Sequence, residues 1–491
     1  FDRMIIKGHI RQFFSTSVKG FFLSEQNVLL KDFSSYANQV TADIVSYAES
    51  MAASDKRPLI YLTSSKTSKE QAALQALEEH PVDEGLICIL SVVEYCQTLQ
   101  PKKHDNGLLS LDTVNRKCKY YYFYFLDKHF GFMHVKLQTW FPFLIQVYIN
   151  GRELMKHVFE QNGISYQMYD NSFYEISDIK KAQELADRFD SKSLCRQLDL
   201  FAHKVNPYLD TIEKTFHQGY HWCVDQCEYA TDVMFKSREA LEDIYPSLVG
   251  HAFYDFNCTD IFSFLGRKLH HKFQGEAVSD YRKRPEGWRI KFKMKSNSIK
   301  MYDKFSCLRV EMTINDPREF KVYKDVHHED GTTSKRWVPM GKSIANLYRY
   351  AEISKAANKR FLDSMQNIIP AKTIEKEINS ICCRKKLGGR NYSGYNVWSA
   401  ETFLLFESVS DGKYLIRGFT NREIRHSTNR ANPDSAKVKG KTSREFTKLR
   451  AHGLIRKVPH SRRYLVSDKG RRVMGALIET KRKIYPELVA K

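Results

Sequence analysis

The stretch that decides the C-terminal fold reads TSREFTKLRAHG at 442–453 and continues as LIRKVPHSRRYLVS at 454–467. Phe446 and Leu449 are spaced for one apolar helix face, and Gly453 is a favourable stop for a helix. Two short strands joined by a basic tip are expected to follow. The pattern therefore predicts a cationic helix and a cationic hairpin on one small core, and a phosphate backbone is the natural partner of such a surface.

Composition supports a basic, folded protein with several domains. The chain has 491 residues, a formal net charge of +21 and a pI of about 9.3. This length predicts about two to four domains at roughly 150 residues each. A hydrophobic content of 42% and an aromatic content of 13% are sufficient for buried cores. The positive residues concentrate at 282–304 and 441–483, which predicts DNA and/or RNA as the partner.

The cysteine spacing and the apolar runs of the sequence predict the cellular compartment of the protein. The ten cysteines lack the spacing of a zinc site, so reduced, buried thiols of a cytoplasmic protein are expected. No apolar run reaches about 18 residues, so no membrane contact is expected. The first residues, 1–4, lack the pattern of a signal peptide. We therefore expect a protein of the bacterial cytoplasm, and the sequence leaves its oligomeric state open.

The C-terminal block resembles a winged-helix domain of the MarR type over residues 400–485. The elements that carry the resemblance are helices at Glu401–Ser408, at Asn421–Arg425 beside a Thr420 cap and at Ser443–His452, a wing at Leu454–Ser467 and a closing helix at Asp468–Tyr485. The resemblance implies that Arg444, Lys448 and Arg450 enter a major groove. It implies backbone contacts for the wing residues Arg456, Lys457, Arg462 and Arg463. Winged helices also pair with RNA or protein, so the partner class stays open.

The rest of the chain is expected to mix helices and strands. Strands at 58–62 and 85–90 around a helix at 68–80 predict a βαβ unit, and the aromatic runs 120–126, 130–141 and 144–149 predict an antiparallel meander. The predicted fold is α+β multidomain: an N-terminal βαβ unit plus the meander, a helical middle, a second antiparallel β unit and a C-terminal winged helix. The expected domains are 1–150, α/β with the meander; 151–275, mainly helical; 276–380, a basic antiparallel β unit plus helices; 381–395, a basic linker; and 396–491, the winged helix.

Two strands carry polar faces that suit nucleic acid. In the meander, His134, Lys136 and Gln138 share a face with aromatic residues, a combination suited to stacked bases and phosphates. The alternative is a partly solvated sheet face. In the second β unit, residues 288–295 alternate strictly between apolar and basic. That alternation places Lys291, Lys293 and Lys295 on a cationic face, and the strand Cys307–Ile314 adds Arg309 and Glu311 to a polar face.

The hairpin at 297–304 and 308–314 resembles a pair of strands in phage and rolling-circle plasmid replication initiators. Those enzymes nick DNA with a tyrosine and a divalent metal. The resemblance implies Tyr323, twelve residues after Glu311, as the nucleophile. Glu311 with Asp303 would then hold Mg or Mn, and Lys291, Lys293 and Lys300 would hold flanking phosphates. The family spacing places the tyrosine nearer to the glutamate, where this chain has Phe320. The alternative is structural: Glu311 pairs with lysines, Asp303 caps a hairpin and Tyr323 packs.

As a whole the chain resembles a family of uncharacterised bacterial proteins. The stretches that carry this resemblance are 131–142, 230–235, 284–287 and the 297–314 hairpin. The resemblance implies no particular activity.

Three hypotheses of function follow. The first is a mobile-element or phage-type DNA enzyme, a metal-dependent nicking endonuclease or replication initiator. The second is a non-catalytic binder of DNA or structured RNA, either a regulator or a ribonucleoprotein component. The third is a metal nuclease with carboxylates from Glu94, Glu228 or Asp232, of which the last two are four residues apart on a predicted helix. The run at 327–329, His-His-Glu, is a further metal possibility.

Overall fold

The structure, a computed structural model, describes residues 1–15, 17–64, 67–169, 171–188, 191–254, 256, 258–266, 277–284, 287–327, 332–365, 371–414, 417–428, 432–459 and 461–481. The chain forms two compact units. Unit 1 comprises Phe1–Tyr229 with Ile314–Glu352, and unit 2 comprises Ala230–Thr313 with Ile353–Lys491. Each unit therefore combines two separate stretches of chain, whereas the sequence predicted five consecutive domains. Both units mix helices with strands.

The strands, in chain order, are β1 (Arg3–His9), β2 (Leu59–Tyr61), β3 (Gly85–Lys103), β4 (Leu109–Asp127), β5 (Gly131–Gln138), β6 (Ile145–Asn150), β7 (Tyr166–Tyr169), β8 (Ser172–Ile176), β9 (His221–Met234), β10 (Ala277–Arg284), β11 (Gly287–Met294), β12 (Asn297–Lys304), β13 (Cys307–Ile314), β14 (Lys321–His327), β15 (Thr333–Pro339), β16 (Lys385–Leu387), β17 (Arg390–Tyr392), β18 (Ile455–Lys457) and β19 (Tyr464–Val466).

The helices, in chain order, are α1 (Ser17–Gly20), α2 (Phe33–Ser54), α3 (Lys69–Glu79), α4 (Gly151–Gln161), α5 (Ile179–Asp187), α6 (Ser191–Val205), α7 (Leu209–Phe216), α8 (Arg238–Tyr254), α9 (Cys258–Phe264), α10 (Leu347–Met365), α11 (Ala371–Cys382), α12 (Ala400–Val409), α13 (Asn421–Ser427), α14 (Ala436–Ala451) and α15 (Asp468–Glu479). Short 3-10 and π turns lie between some of them.

Unit 1 is built on a mixed sheet with the strand order β9-β1-β6-β5-β4-β3-β2. The parallel pair of β2 and β3 around α3 confirms the predicted βαβ unit, and the antiparallel pairs β4–β5 and β5–β6 confirm the predicted meander. Strand β2 lies at the sheet edge, and Tyr61 on it is 59% exposed. Strand β1, which lies between β6 and β9, was not predicted.

The predicted helical character of 151–275 is only partly correct. Strands β7 and β8 form a hairpin there, and β9 replaces the helix expected around Cys227–Val233. Trp222 and Val224 are buried, whereas His221 and Cys223 are only half-buried, which is the period of two that a strand requires. The helical spacing assumed for Glu228 and Asp232 is therefore wrong.

Unit 2 begins with the antiparallel strand order β10-β11-β12-β13. The predicted alternation is confirmed on the apolar side, since Ile290, Phe292 and Met294 are each at most 1% exposed. Aromatic rings of Phe256 and Phe361, from beside α9 and from α10, pack on this side against Phe292. Nearly every residue of β12 and β13 is buried, so both faces of these two strands are covered.

The C-terminal part of unit 2 forms its own apolar core from α12 to α15 and the hairpin of β18 and β19. Helix α14 begins at Ala436, capped by Ser435, and is thus longer than the predicted helix at 443–452. It ends as expected, because Gly453 adopts a φ of 71° just beyond the last turn. Thr420 and Glu423 form a capping box at α13, so the predicted Thr420 cap is confirmed.

The segment predicted as a basic linker, 381–395, is ordered. It contains the hairpin of β16 and β17, and Tyr395 packs into the C-terminal core at 6% exposure. Apolar residues flank the basic run on both sides. The burial of Ile381 and Tyr395 removes their apolar surface from water, which favours an ordered segment.

Candidate nucleic-acid interface

Helix α14 separates an apolar face from a cationic one. Phe446 and Leu449 are buried in the C-terminal core, at 2% and 0% exposure. Lys437, Gly440 and Arg444 follow each other at spacings of three and four, which places them on the side of the helix away from that core. Lys437 and Arg444 are exposed, and a Cβ on Gly440 would meet only a guanidinium nitrogen of Arg444, at 4.0 Å. This outer face therefore carries positive charge on either side of a residue that has no side chain.

The hairpin of β18 and β19, here called the C-terminal hairpin, is fixed beside α14 by aromatic contacts. The ring of Tyr464 lies edge-on to that of Phe446, with centroids 4.9 Å apart, and Phe419 packs against Phe446 at 5.3 Å. The Arg463 guanidinium donates to the carbonyl oxygen of Gly418 at 2.9 Å, which fastens the second strand. Lys457 and Arg462, near the tip, are exposed.

Lys448 and Arg456 were predicted to contact nucleic acid, and the structure gives each of them neighbours that the sequence did not predict. The Lys448 ammonium donates to the Gly394 carbonyl oxygen at 3.1 Å and lies 4.1 Å from the centre of the Tyr395 ring. Burial lowers the pKa of Lys448. Arg456 lines a cavity of about 1060 Å³, together with Leu465 and Arg471. Arg456 and Arg450 are both exposed, the latter at the end of α14.

The strands β10 to β13 carry a polar side, which we call the charged face. Its residues are paired directly across neighbouring strands and therefore point to the same side of the sheet. The Asp280–Lys291–Lys300–Glu311 row lies beside the Arg282–Arg289–Tyr302–Arg309 row, and Lys293 occupies the next row on β11. The structure thus brings together Lys291, Lys293, Lys300, Arg309 and Glu311 as the sequence predicted. Lys295 lies outside the face, in the β11–β12 turn, with a φ of 52°.

Buried ion pairs lie on the part of the charged face that β12 and β13 form. Arg309 is 2% exposed, and its guanidinium binds both carboxylate oxygens of Asp232, at 2.9 and 3.2 Å. Lys300 binds Glu311 at 2.5 Å, and both side chains are nearly buried. Such pairs satisfy charges that burial would otherwise penalise. Lys300, Arg309 and Glu311 therefore have structural partners inside unit 2.

Asp303 and Glu311 lie on opposite faces of the β12–β13 pair. Lys300 and Glu311 are direct partners, and Asp303 follows Lys300 by three residues, so its side chain points to the other side. The Asp303 carboxylate accepts the backbone N–H of Trp288. The structure therefore does not bring the two predicted metal ligands together.

Tyr323 belongs to unit 1 and lies on β14. It is 50% exposed, it directly opposes Trp337 on β15, and the two ring centroids are 5.4 Å apart. Tyr323 and Trp337 thus form an aromatic surface on which Tyr323 is half-exposed. Within the His-His-Glu run, residues 328 and 329 lie outside the described residues, and the structure describes only the backbone of His327.

The polar face of β5 in unit 1 is largely engaged by its own neighbours. His134 stacks on Tyr148 with centroids 5.0 Å apart, and burial lowers the pKa of His134 to about 3. Lys136 binds Glu94 at 2.6 Å. Gln138 is fully buried and donates to the Gln97 carbonyl oxygen at 2.9 Å. The face is therefore an internal polar network.

The carboxylates of the third hypothesis also have partners. Glu94 binds Lys69 at 3.2 Å as well as Lys136, and Glu228 binds Arg3 at 2.7 Å within unit 1. Asp232 is the partner of Arg309. Each of these acids stabilises a neighbouring cation.

Sequence reasoning missed three residues of these surfaces. Lys437 and Gly440 precede the predicted start of the helix, although Ser435 is a recognisable N-cap that would have placed them on it. Arg289 was assigned to the basic side of its strand but not singled out, because its partner Asp280 lies on a strand that was not predicted.

Comparisons with protein-family models, curated proteins and solved structures were made for this chain, and nothing matches it. Among the described residues, no helix is both long and apolar enough to span a membrane.

Asp303 predicts a pH dependence of stability. Burial raises its pKa from 3.8 to about 6, against the hydrogen bond from Trp288. The folded state therefore holds a proton that the unfolded state has lost, so this carboxyl lowers stability as pH rises through that interval. We expect the free energy of unfolding of Asp303→Asn, relative to wild type, to increase between pH 4 and 7 in urea titrations.

Asp225→Asn provides a control of opposite sign. Burial alone would raise the pKa of Asp225, but Lys7 and Lys342 lower it overall. Its contribution to stability is therefore lost as pH falls, and the variant should differ least from wild type at low pH. If the free energy of unfolding changes with pH in the same way for wild type and Asp303→Asn, the raised pKa of Asp303 is contradicted.

Proposed function

We propose that this chain is a nucleic-acid-binding protein whose C-terminal part is a winged helix of the MarR type that binds a duplex. The observation that carries the proposal is the outer face of α14. Lys437, Gly440 and Arg444 point away from the core, and the aromatic contact of Phe446 with Tyr464 holds the C-terminal hairpin beside the helix.

Duplex DNA is the partner that this geometry favours. The B-form major groove is about 12 Å wide and admits an α-helix, whereas the A-form major groove of RNA is too deep and narrow for side chains to read. A helix with positive charge and a glycine on its outer face can approach the groove closely. The exposed Lys457 and Arg462 of the C-terminal hairpin would then contact backbone phosphates next to the groove.

The proposed setting is a mobile-element or phage-type protein of the bacterial cytoplasm. Cys88, Cys118 and Cys227 are buried free thiols, which is the form expected in a reducing compartment.

The first prediction for this function concerns salt dependence. We expect Arg444→Ala to weaken duplex binding and to reduce the slope of log affinity against log salt by about 1, since one phosphate contact is lost. Fluorescence anisotropy with a labelled random-sequence duplex over a range of salt concentrations measures both quantities.

Arg318→Ala is the matched control for Arg444→Ala. Arg318 is also an exposed arginine, with 79% of its side chain accessible, and it pairs with Asp316 in unit 1. Its removal changes net charge equally and should leave the slope within error of wild type. Equal slopes for wild type and Arg444→Ala would reject the proposed role of α14.

DNA nicking at Tyr323 stays a hypothesis, supported by the half-exposed position of the tyrosine. In this reaction the phenolate oxygen would attack a backbone phosphorus, form a 5′-phosphotyrosine link and release a 3′-hydroxyl. The reaction would use Mg or Mn, and Glu311 and Asp303 do not share a face at which both could hold one ion.

The nicking hypothesis makes a separate prediction. Incubation with supercoiled DNA and Mg²⁺ or Mn²⁺ should give a protein–DNA adduct that survives denaturing electrophoresis, and Tyr323→Phe should abolish it while leaving duplex affinity unchanged. An adduct that persists in Tyr323→Phe, or no adduct with wild type, would exclude Tyr323 as the nucleophile. Neither result alters the prediction for Arg444.

A further inference from the structure

We propose that the charged face of β10–β13 contains a phosphate-binding site at Lys291, flanked by Arg289 and Lys293. The site lies within unit 2 and is separate from the outer face of α14. That the bound phosphate belongs to a nucleic acid rests on the proposed function, whereas the anion site itself does not.

Lys291 is placed against like charge. It directly opposes Lys300 on β12, and Arg289 and Lys293 lie two residues away on its own strand and the same face. Cross-strand partners have Cβ atoms about 4.5–5.5 Å apart, and like charges at this separation are destabilising. Three cations therefore surround a fourth on one sheet face, which an anion would stabilise.

The acids of the charged face form their ion pairs with cations other than Lys291. Asp280 opposes Lys291 in register, but its carboxylate binds Arg282 at 2.6 Å and Arg289 at 2.9 Å. Glu311 binds Lys300. Among the described residues, Lys291 makes no ion pair. Burial, followed by the charges of Lys300, Arg289 and Lys293, accordingly lowers the pKa of Lys291.

Arg289 supplies a second, independent observation. It is 9% exposed, and its Nη2 donates to Asp280, but its Nε is buried without a hydrogen-bond partner among the described residues. A buried guanidinium donor without an acceptor is costly. The unused donor lies on the side chain that neighbours Lys291.

The donors select the chemical class of the ligand. Arg289 Nε, Lys291 Nζ and Lys293 Nζ are donors on one face of one strand, and residues two apart are separated by about 6.6 Å. Inorganic phosphate has an acceptor oxygen for each of them, whereas a carboxylate and a phosphodiester each have two anionic oxygens. Charge-assisted bonds to phosphate are also among the stronger hydrogen bonds in proteins. Inorganic phosphate or a phosphate monoester therefore fits all three donors, and a phosphodiester of a nucleic acid fits two of them.

Inorganic phosphate tests the anion site without nucleic acid. The full chain is titrated with sodium phosphate against sodium chloride of equal ionic strength, and thermal unfolding gives the affinity, since a ligand that binds the folded state raises the unfolding temperature. Wild type should be stabilised by phosphate. Lys291→Met, which removes the opposed charge and should fold at least as well as wild type, should bind phosphate about tenfold more weakly.

Lys295→Met is the matched control, because it removes one lysine charge from the adjoining turn. It should respond to phosphate like wild type. An equal response of wild type and Lys291→Met, or a loss of response in both lysine variants, would overturn the site.

A second readout separates this inference from the proposed function. The anisotropy assay with single-stranded and duplex DNA is repeated with Lys291→Met. A smaller salt slope in Lys291→Met supports a nucleic-acid phosphate at this site, and an unchanged slope beside lost phosphate binding overturns that assignment. Arg444→Ala should retain the thermal response to inorganic phosphate, so failure at α14 and failure at Lys291 give different results.

Discussion

The edge-to-face contact between Phe446 and Tyr464 is the interaction on which the proposed binding surface depends. Phe446 belongs to α14 and Tyr464 to the second strand of the C-terminal hairpin, and Phe419 completes the cluster. Such a contact contributes about 0.5–1.5 kcal/mol beyond the burial of its rings. More important than this energy is its geometry, because it fixes which face of α14 remains outside. The positions of Lys437, Gly440 and Arg444 follow from the burial of Phe446 and Leu449 on the opposite side of the helix.

Burial also decides which of the many cations are available to a partner. Arg309 and Lys300 are deep in unit 2 and have carboxylate partners, so their charges are compensated internally and cannot contribute much to an external surface. Lys291 lies on the same face without an ion pair among the described residues, and Arg444 is exposed on α14. The net charge of +21 thus separates into charges that are paired inside the protein and a smaller set that is available to the proposed partner.

Local patterns in the sequence predicted much of the fold. The alternation at 288–295 gave β11 correctly, and Thr420 and Gly453 marked helix ends that the structure has. The failures concern interactions between distant segments. Strand β9 was taken for a helix, because its polar residues at 228 and 232 fit a helical face and its pairing with β1 depends on residues more than two hundred positions away.

The candidate site was predictable only in part, for the same reason. Basic residue types in strands and a helix could be recognised, but the partners that engage Lys448, Lys136 and Arg309 come from other elements. Opposite orientations of Asp303 and Glu311 follow from strand register, which the sequence pattern alone did not define. Arg289 became notable only when its Nε was seen to lack an acceptor among the described residues.

Gly440→Ala tests most directly whether α14 enters a groove. A Cβ at this position would have only the Arg444 guanidinium near it, at 4.0 Å, so the free protein can accommodate it. Replacing glycine within a helix should raise stability by up to about 1 kcal/mol. If the outer face of α14 packs closely against DNA, the same methyl group should weaken duplex binding. Greater stability with weaker binding is the predicted result, and greater stability with unchanged binding would contradict the account.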